Sequence, residues 1–509
     1  MAGDLYLAGV RTTQSEHLAN ARRIAADMVS RGVGANDSIA LLLRNDTMMY
    51  ALMEACRLVG VRFALINWHA APKEVKYIVE DSQSKILYGH SDLLQPVMSE
   101  LSADLPVVAF PVPECIQLSY GVDNRSPAGT ISLTKLLAST DKYEGEAQKL
   151  RGMFAYTSGS TGRPKGIKRA FNEDGPDRWD AFLGLCRNLM GAQDGDRFYV
   201  SAPLYHSAPN TLSSFCLAAG DVDIFVDPKF DPEGFLQTVE KFGITHAYIV
   251  PTMCIRLLKL PKDVREKYDV SSLRFTISTG SPWPIEVKNE MIDWFGPILN
   301  ESYGASEIGF MTLISSDEAK AKPGSVGKIL PGGTVKVLDD DFNEVPTGEV
   351  GTLYIHLPTY GDFEYTNQDG NLDGQRQGNL STVGDMGYVD EDGYIFISDR
   401  KKDMIISGGA NIFPAEIEAE LILMPEIADC AVFGAPDPEF GESIIAAVTC
   451  QPDKSVTLQD VKAWLEPRLA KFKIPRKLDI HDELPRQDSG KIFKAKLRAP
   501  YWEEAGRKV

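Results

Sequence analysis

Cysteine is scarce in this chain and follows no pattern. Seven Cys are spread over 509 residues (Cys56, Cys115, Cys186, Cys216, Cys254, Cys430 and Cys450), with no C-x-x-C pair. That excludes a disulfide framework and a structural zinc site, and the residues read as reduced core side chains. Long apolar runs are missing as well: no stretch approaches the ~18 residues that a membrane-spanning helix needs. Residues 1–10 hold no cationic segment followed by an apolar one, so no standard export signal is expected and a cytoplasmic protein is. Positive charge is in deficit, with 53 Lys and Arg against 71 Asp and Glu, a net charge of −18 and a pI near 5.0. Nucleic acid and anionic membrane surfaces both require a basic field, so neither is an expected partner. Histidine stops at seven residues; none has metal-ligand spacing to a second His or Cys, and no Ser/His/Asp order stands out.

What the chain does have is the composition of a globular enzyme, 43% hydrophobic and 24% charged, at a length that predicts two to four domains. Residues 15–33 predict a helix with Leu18, Ala21, Ile24, Ala25 and Met28 on one side, closed by Gly32. Apolar strands and amphipathic helices then alternate, with strands expected at 38–43, 86–88, 107–110, 198–200, 223–226, 246–250 and 275–278. This rhythm predicts an α/β fold of mostly parallel sheets covered by helices. After about residue 325, short strands between Gly, Asp and Asn turns predict an antiparallel, barrel-like segment over 325–398. A small α+β unit is expected beyond Asp399, with helices over 414–424 and 457–470 and strands near 430–433 and 444–450. The run Arg400-Lys-Lys-Asp403 reads as the linker.

Residues 156–166, Tyr-Thr-Ser-Gly-Ser-Thr-Gly-Arg-Pro-Lys-Gly, carry the densest chemistry. Gly159, Gly162 and Gly166 let backbone N–H groups turn toward an anion, Thr157, Ser158, Ser160 and Thr161 add hydroxyls, and Lys165 adds charge. The reading is a phosphate clamp, although Pro164 stands where the Walker pattern has its second Gly. Glu301-Ser-Tyr-Gly-Ala-Ser-Glu307 offers Tyr303 to stack on a base and Glu307 to hold Mg²⁺, with a solvated strand-end turn as the competing reading. Asp385, between glycines, suits ribose hydroxyls or an ordinary Asx turn. Ser407-Gly-Gly runs into a helix expected from Pro414. Pro485-Arg-Gln-Asp-Ser-Gly-Lys491 presents one Lys, which alone reads as solvated. Arg468, Lys471, Lys473, Arg476 and Lys477 surround Phe472, an exposed cationic face unless a phosphorylated substrate explains it.

Taken in order, segments 156–166, 301–309, 383–387, 399–418 and 485–491 resemble the adenylate-forming superfamily of acyl-CoA synthetases, nonribosomal adenylation domains and firefly luciferase, end to end. The resemblance implies an ATP-dependent carboxylic acid–CoA ligase that forms an acyl-AMP and pyrophosphate, then passes the acyl group to a thiol. It implies a large N-terminal domain over 1–401 and a small mobile C-terminal domain over 402–509, hinged at Lys402. By the same resemblance, residues Thr157 to Gly162 and Lys165 would hold the β- and γ-phosphates. Gly280, Ser281 and Pro282, with Glu301, Ser302 and Tyr303, would frame the adenine, and Gly304 would belong to the same ATP/AMP-binding set. Ser306 would touch the α-phosphate, Glu307 would bind Mg²⁺, Asp385 would meet the ribose, and Arg400 the ribose or phosphate. Lys491 would bridge carboxylate and α-phosphate, and His206 would gate the acyl pocket. Ser407, Gly408, Gly409, Phe440, Phe472, Lys473 and Arg476 would serve coenzyme A.

The chain departs from the family at Val383, where a Thr is usual, at Ser306 for Thr, and over 169–181. None of these removes a group the chemistry requires. The expected partners are a carboxylic acid, ATP and coenzyme A, with a homodimer left open. The chain ends at Val509 without a carrier domain, which favours free coenzyme A. An acid–AMP ligase loading a separate carrier protein and a non-catalytic nucleotide-binding relative are the alternatives. The acid itself is left open among aryl, medium-chain and polycyclic classes.

Overall fold

The computed structural model describes residues 3–149, 151–157, 164–171, 177–281, 283–360, 362–366, 375–486 and 492–504. The chain gathers into two compact units. The larger comprises Met1–Gly280, Ile285–Lys320 and Leu357–Leu372; the smaller comprises Ser281–Pro284, Ala321–His356 and Asp373–Val509.

The larger unit is α/β, as the alternating pattern requires. Its first sheet runs, in spatial order, Phe363–Tyr365, Lys165–Arg169, Met153–Thr157, Arg62–Leu65, Ser38–Leu42, Ser84–His90, Val107–Phe110 and Ile131–Ser132. Strands from Met153–Thr157 onward are parallel, and the first two pairings are antiparallel. All five residues of Ser38–Leu42 are buried, as a strand covered on both faces demands. The chain leaves that strand for Arg62–Leu65 on one side and returns to Ser84–His90 on the other, so the strand order reverses there.

The second sheet runs Leu299–Glu301, Phe275–Ser278, His246–Tyr248, Arg197–Val200, Asp223–Val226, Leu5–Leu7 and Val10–Thr12, parallel until its last pair. One fully buried side chain ties the two sheets. Asn45 Nδ2 donates to the carbonyls of Ser201 (3.0 Å), Ala202 (3.2 Å) and Asp227 (3.2 Å), and Asn45 Oδ1 accepts from Leu204 N–H at 2.8 Å.

In the smaller unit, Ser325–Ile329, Ile395–Arg400, Asp385–Val389 and Gly351–His356 follow one another in an antiparallel sheet, with Thr334–Leu338 also paired to Gly351–His356. A second sheet is built on the hairpin Ile427–Asp437 and Gly441–Cys450, the first strand longer than expected at both ends and the second at its start. The helix Pro414–Leu421 buries Ile417 and Leu421 beside Ile444, Ala446 and Val448. The helix expected over 457–470 covers only Leu458–Leu465, because Pro467 has no N–H to carry the ladder on. The expected linker is a tight turn: Arg400 closes a strand, and the N–H groups of Asp403 and Met404 bond back to its carbonyl.

Candidate active site

In the larger unit the phosphate-clamp segment is a β-hairpin. Met153–Thr157 and Lys165–Arg169 pair with Tyr156 opposite Gly166 and Thr157 opposite Lys165, so residues between them form the tip. Ser158, Gly159, Ser160, Thr161 and Gly162 lie outside the described residues, as do Pro282 and Lys491. Close packing fixes the base of the tip. A Cβ on Gly166 would lie 2.5 Å from Thr366 Oγ1 and 2.8 Å from the Tyr156 ring. Asp81 anchors both neighbours, accepting from Tyr156 Oη at 2.7 Å and from the Thr366 hydroxyl.

A second, smaller hairpin carries the next motif. Gly304 pairs with Phe310 and Ala305 with Gly309, which puts Ser306, Glu307 and Ile308 at its tip. The approach is so close that a Cβ on Gly304 would stand 2.0 Å from the Gly309 carbonyl oxygen. Three contacts hold this tip to its surroundings. Arg169 Nη2 donates to the Ser306 carbonyl at 2.8 Å. The hydroxyls of Ser306 and Ser207 are 3.3 Å apart. Finally, the Tyr365 hydroxyl is hydrogen-bonded to Glu307, and burial followed by that carboxylate pushes the Tyr365 pKa well above its ordinary value. Lys165 Nζ lies 5.2 Å from the centre of the same Tyr365 ring.

Thus the structure brings Lys165, Ser306 and Glu307 to one corner. Ser207 opens the helix Ser207–Ala219, whose cap residue is His206, so His206 is drawn in by the same contact. That helix also aims its positive end at the corner from Ser207, which favours anions.

The adenine-framing residues fare unevenly. Gly280, at φ +94°, has nothing within 4 Å of a would-be Cβ, leaving free space beside the backbone. Tyr303 is half-buried, its N–H on Thr312 Oγ1 at 3.0 Å. Ser302 is buried, and its Oγ has no hydrogen-bond partner among the described residues. Glu301 has different work. Its backbone N–H and carbonyl both pair with Ile314, and its carboxylate takes Lys288 Nζ at 2.7 Å in a buried ion pair. It braces the segment from behind. Ser281 is half-buried in the smaller unit.

In the smaller unit, Asp385 and Arg400 stand opposite each other on paired strands, with Arg400 Nε 3.3 Å from Asp385 Oδ1. Asp385 is buried and opens its strand directly after Gly384. Val383 does not disturb this arrangement: Gly384 N–H takes its hydroxyl partner from Thr382, at 3.0 Å. Lys402 is exposed, and its carbonyl accepts from Arg498 Nη1 at 3.3 Å.

Gly408 and Gly409 are the two positive-φ residues of a tight hairpin turn between Ser407 and Ala410. Gly408 N–H donates to the Phe440 carbonyl at 2.7 Å, and the Arg476 guanidinium lies 3.7 Å from the centre of the Phe440 ring. Ser407, Gly408, Phe440 and Arg476 therefore do assemble. Lys473, Arg468 and Lys477 have partners of their own, and Lys473 Nζ also lies 5.7 Å from the centre of the Phe472 ring. Lys473 is held by Glu416 at 2.6 Å, Arg468 lies on Trp464 and Lys477 on Tyr501. Phe472 projects into solvent.

Residues 5–361 match the family model described as AMP-binding enzyme, and residues 416–491 match its C-terminal domain. The chain belongs to the AMP-binding enzyme family. Among relatives of this AMP-binding enzyme, an indoleacetate–CoA ligase of Aromatoleum aromaticum is 30% identical over 486 residues, spanning 94% of this chain and 90% of the relative. A fatty acid–acyl-carrier-protein ligase of Streptomyces coeruleorubidus is 29% identical over 506 residues, spanning 98% and 93%. Among solved structures, o-succinylbenzoate CoA synthetase of Bacillus subtilis, in complex with its acyl-adenylate intermediate, superposes with a TM-score of 0.79 at 26% identity, covering 97% of this chain and 95% of that one. The adenylate-forming fold expected from the motifs is the one observed.

Two residues of the AMP-binding enzyme escaped the sequence reading. Tyr365 joins Lys165 to Glu307, and Asn45 sets the segment that leads into His206. The hairpin base supplies a first test. Gly166→Ala forces its methyl against Thr366 and Tyr156, and overpacking of this kind costs about 2 kcal/mol. The expected outcome is a lower thermal midpoint together with a raised KM for ATP; an unchanged midpoint would show that the hairpin base yields freely.

Proposed function

We propose that this AMP-binding enzyme is a carboxylic acid–CoA ligase that uses ATP in two half-reactions. The acid's carboxylate attacks the α-phosphorus to give acyl-AMP and pyrophosphate, and the thiol of coenzyme A then displaces AMP. The observation that carries the reading is the convergence of Lys165 and Glu307 on Tyr365. It sets a cation for phosphate oxygens beside the ring and a carboxylate for a metal ion at its hydroxyl.

The residues fit the groups they would hold. Among the described residues no cluster of three or more His, Cys, Asp or Glu could hold a metal ion by itself. A single carboxylate such as Glu307 suits Mg²⁺, which keeps waters and completes its shell on substrate phosphates. When bound, the ion would neutralise charge on the departing pyrophosphate. Lys165 and the clamp backbone would bind the same phosphates. The buried, unpartnered Ser302 Oγ and the free space at Gly280 suit a nucleoside beside the end of strand Phe275–Ser278. In the smaller unit, Asp385 would accept the ribose hydroxyls while Arg400 holds its carboxylate in place. Lys491 would offset the charge that builds as the acid attacks phosphorus.

For the acceptor, the Gly408-Gly409 turn against Phe440 and Arg476 favours coenzyme A, whose narrow pantetheine arm suits a turn without side chains and whose phosphates suit a guanidinium. The carrier-protein ligase among the relatives keeps a second reading in view. Relatives named for indoleacetate, 2-succinylbenzoate and ferulate, together with the Tyr205 and His206 rings packed 4.3 Å apart, favour an aryl or arylalkanoic acid.

A panel of carboxylic acids, assayed for pyrophosphate and then AMP release, tests all of this. Acid-dependent pyrophosphate without coenzyme A, followed by AMP release only when coenzyme A is added, is the expected pattern. AMP release with a carrier protein but not with coenzyme A selects the second reading. No pyrophosphate with any acid of the panel would exclude both.

A further inference from the structure

The larger unit holds a cavity of about 400 Å³ whose charged residues have unused bonding capacity. It stands where the first sheet reverses its strand order. Ser38–Leu42 connects onward to Arg62–Leu65 on one side, and its other neighbour, Ser84–His90, connects to Val107–Phe110 on the far side. Right-handed crossovers send those two connections to opposite faces, and the gap beyond the carboxyl ends of such strands is where open parallel sheets receive ligands. Arg44 follows the end of the first strand by two residues and Asp92 the end of the second by two; both line the cavity.

These two side chains form an ion pair through Arg44 Nη2 and Asp92 Oδ2 at 2.6 Å, with only 9% and 10% of their surfaces exposed. Arg44 is held in place. Its backbone N–H donates to His90 Nδ1 at 3.1 Å, His90 Nε2 meets Asp46 at 3.0 Å, and the guanidinium lies 4.3 Å from the centre of the Tyr120 ring. Arginine and carboxylate commonly close as a fork with two parallel bonds. Here Arg44 Nε and Asp92 Oδ1 are both buried and have no partner among the described residues. One donor and one acceptor of the same pair stay open, each at the full cost of its desolvation. The walls around them are apolar, with Leu42, Val75, Leu93 and Trp68.

We propose that this cavity is a second ligand site, for a small neutral molecule with a carboxamide or lactam edge on an apolar body. The ion pair is itself neutral, so an anion would meet Asp92 and a cation would meet Arg44. An amide edge satisfies both open groups at once, its carbonyl accepting from Nε–H and its N–H donating to Oδ1. Asp123, the other charged wall residue, is exposed and already accepts from Arg125 N–H at 3.0 Å. The volume lies in the range of small-molecule sites. Trp68 packs edge-on against Tyr205 at 4.8 Å, and Tyr205 stands 4.3 Å from His206, so the wall is backed by a row of rings. None of this depends on the ligase reading.

Benzamide is the probe, titrated by calorimetry into the full chain without nucleotide, acid or coenzyme A. The expected result is one-to-one binding, at least tenfold weaker for acetophenone, which accepts but cannot donate. Ala70→Phe fills the cavity from a half-buried wall position and leaves the ion pair intact. It should weaken benzamide at least tenfold while keeping pyrophosphate release within twofold. Crystals soaked in benzamide decide the matter even if that variant folds poorly: the amide should bridge Arg44 Nε and Asp92 Oδ1. Absence of heat at millimolar benzamide, binding indifferent to Ala70→Phe, or a lone fixed water between the two atoms in the soaked crystal each overturns the proposal.

Discussion

Lys491→Ala lowers acid-dependent pyrophosphate release by roughly 10² to 10³-fold, the loss that follows removal of one preplaced charge from a developing anion. Charge sets the size of this effect. A carboxylate is already a nucleophile at neutral pH, so the first half-reaction needs little proton transfer. It needs two anions, the acid and the α-phosphate, to be held within bonding distance. In the proposed mechanism Lys165 and Glu307 would serve the leaving phosphates, and Arg400 is paired with Asp385. By the family resemblance, Lys491 would be the cation at the reacting centre. Because the second half-reaction separates the same groups, the variant supplied with synthetic acyl-AMP should still form thioester within about threefold of wild type. Pyrophosphate release unchanged in Lys491→Ala would sink the mechanism; equal loss of both half-reactions would point to a folding defect instead.

Lys288→Met destabilises the larger unit by about 3–5 kcal/mol at neutral pH, the usual penalty for stranding one partner of a buried ion pair. Lys288 and Glu301 are 7% and 6% exposed and bonded at 2.7 Å. Burial already raises the Glu301 pKa, and Lys288 is the main influence holding it down. The pH dependence follows in sign. Burial penalises the charged carboxylate only, so the penalty is absent below the ordinary carboxylate range and grows as pH rises through the raised value. Without Lys288 that value climbs further, and the deficit is larger at pH 7.5 than at pH 5. Urea unfolding at the two pH values measures it. Glu301→Gln added to Lys288→Met should recover most of the loss; a deficit independent of pH and unrelieved by the second change would mean that lost packing, not charge, is responsible.

Much of this molecule is legible in its sequence because the signals are local. Alternating apolar strands and amphipathic helices announce the parallel sheets, and the turn-rich stretch after residue 325 announces the antiparallel one. Motif residues close in sequence are close in space, as at Ser306 and Glu307 on one hairpin tip. The residues that join motifs are another matter. Tyr365 follows Lys165 by two hundred positions and looks like any strand aromatic. Asn45 sits after a strand, where an Asn ordinarily marks a turn, and its four bonds reach residues more than 150 positions away. Glu301 carries a carboxylate in the right motif, yet only its depth and Lys288 reveal that it serves the scaffold. No periodicity encodes such long-range partners. In the cationic run near Phe472, adjacency does not disclose the separate acidic and aromatic partners that Lys473, Arg468 and Lys477 take.

The strand Phe363–Tyr365 pairs with Lys165–Arg169 and closes that end of the first sheet. On the ribosome, the phosphate hairpin emerges long before its closing strand. At ~10 residues per second, the interval is roughly 20 s. Throughout it, Lys165–Arg169 is an edge with open backbone groups, the kind of template on which nascent chains pair with one another. Lys165, Lys168 and Arg169 put three like charges on that edge, and charge on an edge strand disfavours pairing between copies.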